Sequence, residues 1–132
     1  MPNSEVRPEH LAPPAAKYAH AVRVDAPAAM VFTSGVVPTM PDGTVPSSIE
    51  GQARCVWANL IEILRASQMT VSDIVSITTY VVARETLSAD LAAVMGVRDE
   101  VMGDHRAAST LVTVPALARP ESSMEISLVA AR

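Results

Sequence analysis

The stretch from Ser47 to Arg65 restricts the fold more than any other part of the chain. Glu50 follows Ser47 by three residues, the spacing at which a hydroxyl and a carboxylate satisfy backbone amides at a helix start. Ala53, Val56, Trp57, Leu60, Ile61 and Leu64 then recur at intervals of three and four and make one apolar stripe. Arg54, Asn59, Glu62 and Arg65 take the other side. A helix patterned this way is stable only when its stripe is covered, so the rest of the chain must supply a partner layer.

The partner layer reads as a sheet. From Tyr18 to Val24 the side chains alternate, with Tyr18, His20, Val22 and Val24 facing one way. Asp25-Ala26-Pro27 turns the chain, and Met30 to Val37 reads as a second strand completing a hairpin. Pro41-Asp42-Gly43 is a further turn signal. Ile74 to Val82 is a third strand, rich in β-branched residues. A second helix is expected from about Ser88 to Met102, with Leu91, Val94, Val101 and Met102 inward and Gly103 stopping it. Ala107–Val114 and Met124–Ala130 are two closing strands, joined by residues 115–123.

The resulting order, β-β-α-β-α-β-β, predicts an α+β sandwich with both helices on one face of the sheet. Residues 1–16, with Pro8, Pro13 and Pro14, read as a loose N-terminal arm, and residues 17–132 as a single domain. On the last strand Met124, Ile126, Leu128 and Ala130 share one side, while Glu125, Ser127 and Val129 share the other. Neither side of the third strand is clearly polar. A two-layer monomer would leave such a face in water, so self-association is expected.

Composition narrows the partners. The net charge is −4, Lys17 is the only lysine, and the nine arginines are scattered. A nucleic-acid surface needs concentrated positive charge, and none is visible. Small metabolites are the expected partners. No apolar run approaches the roughly 18–20 residues that span a bilayer, and residues 1–7 lack the apolar core of a secretory signal. Cys55 has no second cysteine to pair with, which fits a reducing cytoplasm. It falls off the stripe of its helix and reads as structural. His10, His20 and His105 lack ligand spacing with one another or with Cys55, so no metal is expected. Phosphate-binding and dinucleotide fingerprints are absent, and no cofactor is expected.

Several segments, taken in order, carry a family resemblance. They are Tyr18-Ala19-His20-Ala21-Val22-Arg23, Phe32-Thr33-Ser34-Gly35, Gln52-Ala53-Arg54 with Asn59-Leu60, and Asp73-Ile74-Val75 with Thr79-Tyr80-Val81. Gly103-Asp104-His105-Arg106-Ala107-Ala108-Ser109-Thr110 and Met124-Glu125-Ile126 complete the set. Together they resemble the Rid, or YjgF, family of reactive intermediate deaminases. The resemblance implies a chorismate-mutase-like fold, a homotrimer with pockets between subunits, and cofactor-independent hydrolysis of imines or enamines to a keto compound and ammonia. It further implies that Glu125 positions or activates water, and that Tyr18, Ser34, Ser109 and Thr110 line the substrate pocket.

Two positions depart from the family pattern. Ser109 stands where the family's deaminases have an arginine that holds a substrate carboxylate, and Met95 stands where a pocket asparagine is common. Arg106 lies three positions upstream of Ser109, an odd offset that points it to the opposite side of a strand unless a bulge or the preceding loop redirects it to the pocket. Two functions are therefore expected in competition. One is a hydrolase of activated C–N compounds that lacks the arginine clamp, and the other is a trimer that binds a small metabolite without turning it over.

Overall fold

A computed structural model describes residues 2–132. Two helices cover one face of a mixed four-stranded sheet, and a separate two-stranded ribbon flanks it. The elements are β1 (Asn3–Val6), β2 (Ala21–Val24), β3 (Met30–Phe32), α1 (Ile49–Ala66), β4 (Ile74–Val82), α2 (Leu87–Met102), β5 (Ala108–Val114) and β6 (Met124–Ala131). The main sheet runs β3-β6-β4-β5. β4 and β5 are parallel, as a strand–helix–strand crossover through α2 requires, and the other pairs are antiparallel.

The core confirms the α+β reading, with both helices on one face. Ala53, Val56, Trp57, Leu60 and Leu64 of α1 pack with Val94, Val97 and Met102 of α2. Beneath them lie Ile77 and Val81 of β4 and Met124, Ile126, Leu128 and Ala130 of β6. Alternate residues of the same strands, Ser76, Thr78, Tyr80 and Glu125 among them, are half-buried on the opposite, uncovered face.

The N-terminus differs from the expected loose arm. Asn3–Val6 forms β1 and pairs antiparallel with β2, Glu5 opposite Val22. Asn3 Nδ2 also donates to the Ala131 carbonyl at 2.7 Å. Proline-rich residues follow β1 rather than interrupt it, so its amides remain free to pair. The expected hairpin does not form either. β2 is taken by β1, and β3 pairs with β6, Phe32 opposite Val129.

β3 stops at Phe32, short of the expected Val37. The Leu128 amide finds its acceptor in the Thr33 hydroxyl at 2.9 Å. Pairing with β6 resumes at Val36 opposite Ile126. Four steps along this segment thus match three on β6, which leaves one extra residue as a bulge around Ser34 and Gly35.

α1 is capped by Ser48, not Ser47: its hydroxyl accepts from the Gly51 amide at 3.0 Å. Glu50 becomes a first-turn acid, favourable at the positive helix end, and pairs with Arg54. The reciprocal capping box lies instead at Thr70 and Asp73, around a single 3-10 turn before β4. Cys55 is buried rather than merely off the stripe. Burial pushes its thiol pKa up, only partly offset by Asn59. α2 ends at Gly103, whose φ of 56° favours glycine. Among the described residues, no helix is long and apolar enough to cross a membrane.

Candidate functional site

Glu125 projects from β6 on the uncovered face and is half-buried. Its carboxylate lies against the bulge. A Cβ built on Gly35 would fall 1.7 Å from Glu125 Oε2, so only a residue without a side chain leaves this seat open. The bulge is tied down on both flanks. The Thr33 hydroxyl donates to the Ser34 carbonyl at 2.8 Å, and Asn59 of α1 donates to the carbonyls of Val37 and Thr39. Ser34, beside the glycine, is exposed. The structure therefore brings Glu125 and Ser34 to one location.

Tyr80 sits directly opposite Glu125 in the β4–β6 ladder, and opposed side chains in an antiparallel pair lie about 5 Å apart at Cβ. Sequence reading assigned Tyr80 no part in the site. The signal was present in the alternation of β4, which puts Thr78 and Tyr80 on the side away from Ile77 and Val81, but the pairing of β4 with β6 had to be known first.

Ser109 lies elsewhere. On β5 it pairs with Ile77, a core residue of the helix-covered face. Paired residues of parallel strands share a face, so Ser109 looks toward α2 while Glu125 looks away from it. The strand between them adds a lateral offset of about 10 Å at the usual strand spacing. Within one chain the two residues cannot line the same pocket. Thr110, one residue on, pairs with Thr78 and is exposed on the uncovered face.

Tyr18 belongs to the Ser109 side. The Ala19 amide donates to the Ala107 carbonyl at 2.9 Å, with Ala19 bridged to Ala108, which carries Tyr18 to the start of β5. Its hydroxyl accepts from the Ala15 amide at 3.3 Å, and its ring meets His20 edge-on.

The arginine nearest Ser109 in space is Arg98 of α2, which sequence reading did not single out. Arg98 Nη1 donates to Ser109 Oγ at 3.4 Å, and Nε and Nη2 donate to Asp99 Oδ1 at 3.1 and 2.8 Å. Arg98 is only 5% exposed. Leu91, Val94, Arg98 and Val101 fall at helical spacing, so an arginine on the apolar stripe was the available clue. Arg106 is turned away, donating to the carbonyls of Gly103 and His105.

Two clefts of the single chain lie elsewhere. One is bounded by Val6, Leu11, Pro13 and His20, the other by Ile61, Leu64, Met69 and Val101; neither is lined by Glu125 or Ser109. Among the described residues, no group of three or more His, Cys, Asp or Glu could hold a metal ion.

Two helices backing one face of a mixed four-stranded sheet, with the other face open, make a small domain of the chorismate-mutase-like class. The family model described as Endoribonuclease L-PSP matches residues 9–132, and the chain belongs to that family, the YjgF or Rid family. It is 30% identical over 106 residues to TdcF of Escherichia coli (strain K12), named as a reactive intermediate deaminase, covering 78% of this chain and 79% of that protein. A crystal structure of a Rid-family protein of unknown function, YyfB from Yersinia pestis, is 30% identical, covers 100% of both chains and superposes with a TM-score of 0.87. The structure of E. coli TdcF with bound serine is 26% identical over 98% of both chains, with a TM-score of 0.71.

Proposed function

We propose that this protein is a cofactor-independent hydrolase of imines, enamines or related activated C–N compounds, working in the cytoplasm as a homotrimer. Glu125 serves as the general base that positions water for attack on the imine carbon. The observation that carries this reading is the seat of its carboxylate on Gly35. A half-buried acid held beside bare backbone can orient a water against a bound substrate. Tyr80 and Ser34 border the same spot.

The opposed faces of Glu125 and Ser109 support a pocket built by two copies of the chain. Glu125 comes from one copy, and the β5 edge with Ser109 and Tyr18 from its neighbour. Thr110, on the uncovered face, belongs to the surface between copies. Serine bound to TdcF, a relative of the same fold, supports a small polar metabolite as ligand. The acidic net charge and scattered arginines do not favour RNA as substrate.

The test generates 2-aminoacrylate and other imines in situ and follows ammonia release. Glu125→Gln is expected to abolish turnover of every imine that the wild type hydrolyses. If the variant keeps full activity, the base is misassigned. A second reading, a trimer that binds without turnover, is favoured by Ser109 and Met95, which replace groups typical of the family's deaminases. Thermal stabilisation by small acids without any product would support it.

A further inference from the structure

We propose that Tyr80 is the proton donor to the imine nitrogen, the acid partner of Glu125. The inference rests on the hydrolase reading and deepens it, by assigning the second of the two proton transfers that the reaction needs.

Three residues stand in one row across the uncovered face: Glu125 on β6, Tyr80 on β4 and Val112 on β5. Tyr80 is half-buried and Val112 exposed, so the phenol ring has an apolar neighbour on one flank and the acid on the other. Opposed side chains start about 5 Å apart at Cβ, but the carboxylate leans away from the ring, onto the Gly35 bulge on the far side of β6. Among the described residues neither the Glu125 carboxylate nor the Tyr80 hydroxyl has a hydrogen-bond partner, and neither is sealed from solvent. The two polar ends therefore flank an open gap instead of closing on each other. In the next row Ser127, Thr78 and Thr110 set three hydroxyls across the same strands, a polar strip that can hold water beside the gap. Glu125 and Tyr80 belong to one chain, so their pairing does not depend on how a neighbouring copy docks.

Attack of water on an imine carbon calls for a base at the oxygen and an acid at the nitrogen. One carboxylate cannot be ionised for the first task and protonated for the second at the same moment. With two groups the protons balance. Glu125 takes a proton from water as the C–O bond forms, while the Tyr80 O–H bond breaks and an N–H bond forms. The carbinolamine then collapses. The phenolate takes the hydroxyl proton as the C=O bond forms, and Glu125 gives its proton to nitrogen as the C–N bond breaks. A keto compound and ammonia leave, one water is consumed, and both side chains return to their starting states without any oxidant or reductant. Phenylalanine would fill the same place on the sheet without the donor, so the hydroxyl alone carries the proposed role.

The test measures kcat and KM for 2-iminopropanoate and propan-2-imine, each generated in situ by oxidation of the matching amine, with the wild type, Tyr80→Phe, Tyr80→His and Glu125→Gln. Melting temperatures check that each variant is folded. Tyr80→Phe is expected to lower kcat about 100-fold or more, the usual loss for a missing proton donor, and to leave KM near the wild-type value. Tyr80→His, which restores a donor, is expected to recover part of that loss. Turnover in mixtures of light and heavy water supplies a readout that a packing role would not move. Two protons in flight give the wild type a bowed dependence on deuterium content, and Tyr80→Phe is expected to make it linear. Wild-type kcat in Tyr80→Phe, or a slowed variant with an unaltered deuterium dependence, overturns the proposal. If either result accompanies an inactive Glu125→Gln, the hydrolase reading stands without it. No turnover of either imine by the wild type removes that reading and the proposal together.

Discussion

The carboxylate of Glu125 occupies the space that a side chain on Gly35 would fill, with Oε2 1.7 Å from where a Cβ would stand. The two residues are 90 positions apart, and the β6 pairing on either side of the bulge brings them together. A glycine in a bulge and an acid in a strand thereby make one feature.

Gly35→Ala should separate activity from stability. The clashing atoms belong to the flexible end of Glu125, so the carboxylate moves and the backbone does not. The melting temperature should stay near that of the wild type. A displacement of about 1 Å at a reacting group can lower turnover about 100-fold. Ammonia release and thermal unfolding measured on one preparation check this. Unaltered turnover would show that the carboxylate's seat is irrelevant.

Gln52 links two loops to α1. Its Nε2 donates to the Pro46 and Glu121 carbonyls, both at 2.9 Å, and its Oε1 accepts from the Ser123 amide at 2.8 Å. Gln52→Leu keeps the volume and strands these backbone groups, at a cost of about 2–3 kcal/mol. Urea unfolding measures it. Ser123 immediately precedes β6, so turnover should also fall through a shift of Glu125.

Asp90 makes stability pH-dependent. Arg84 Nε donates to Asp90 Oδ2 at 2.6 Å, and Thr86 Oγ1 donates to the same carboxylate. The Arg84 hydrogen bond, against the opposing effect of burial, holds the Asp90 carboxyl below its ordinary range. Its folded pKa lies below the unfolded one. The stabilisation is therefore fully present above the unfolded value of about 3.9 and is lost as pH falls through the lower folded value. Asp90→Asn should cost about 1–3 kcal/mol near neutral pH. The gap from wild type should narrow in acid, as denaturant titrations at several pH values would record.

Phe32 tests assembly. It is 71% exposed, and its cross-strand partner is Val129 of β6. A large aromatic left in water beside a half-covered sheet favours burial against another copy. Phe32→Glu should lower the mass measured by sedimentation and, since the proposed pocket needs two copies, lower turnover in parallel. A wild type already monomeric at working concentration would refute the two-copy pocket.

Helices α1 and α2, strand β4 and the closing strands β5 and β6 were legible in the residues because each depends on local spacing. Three- and four-residue periodicity marks a helix stripe, alternation marks a strand, and Gly103 marks a stop. The same alternation put Glu125 on the uncovered side of β6, but its place in a site came only from the family resemblance. What lay beyond local pattern was pairing. That β2 joins β1 and β3 joins β6, that the chain bulges at Gly35, and that Tyr80 stands opposite Glu125 all depend on contacts between distant segments. Many registers suit the same alternation, and only burial of the whole core selects one. Ser109 and Glu125 were each placed on a strand from the sequence. The registers of β4 with β5 and with β6 set them on opposite faces, and the packing of α2 put Arg98, and no strand arginine, against the serine hydroxyl.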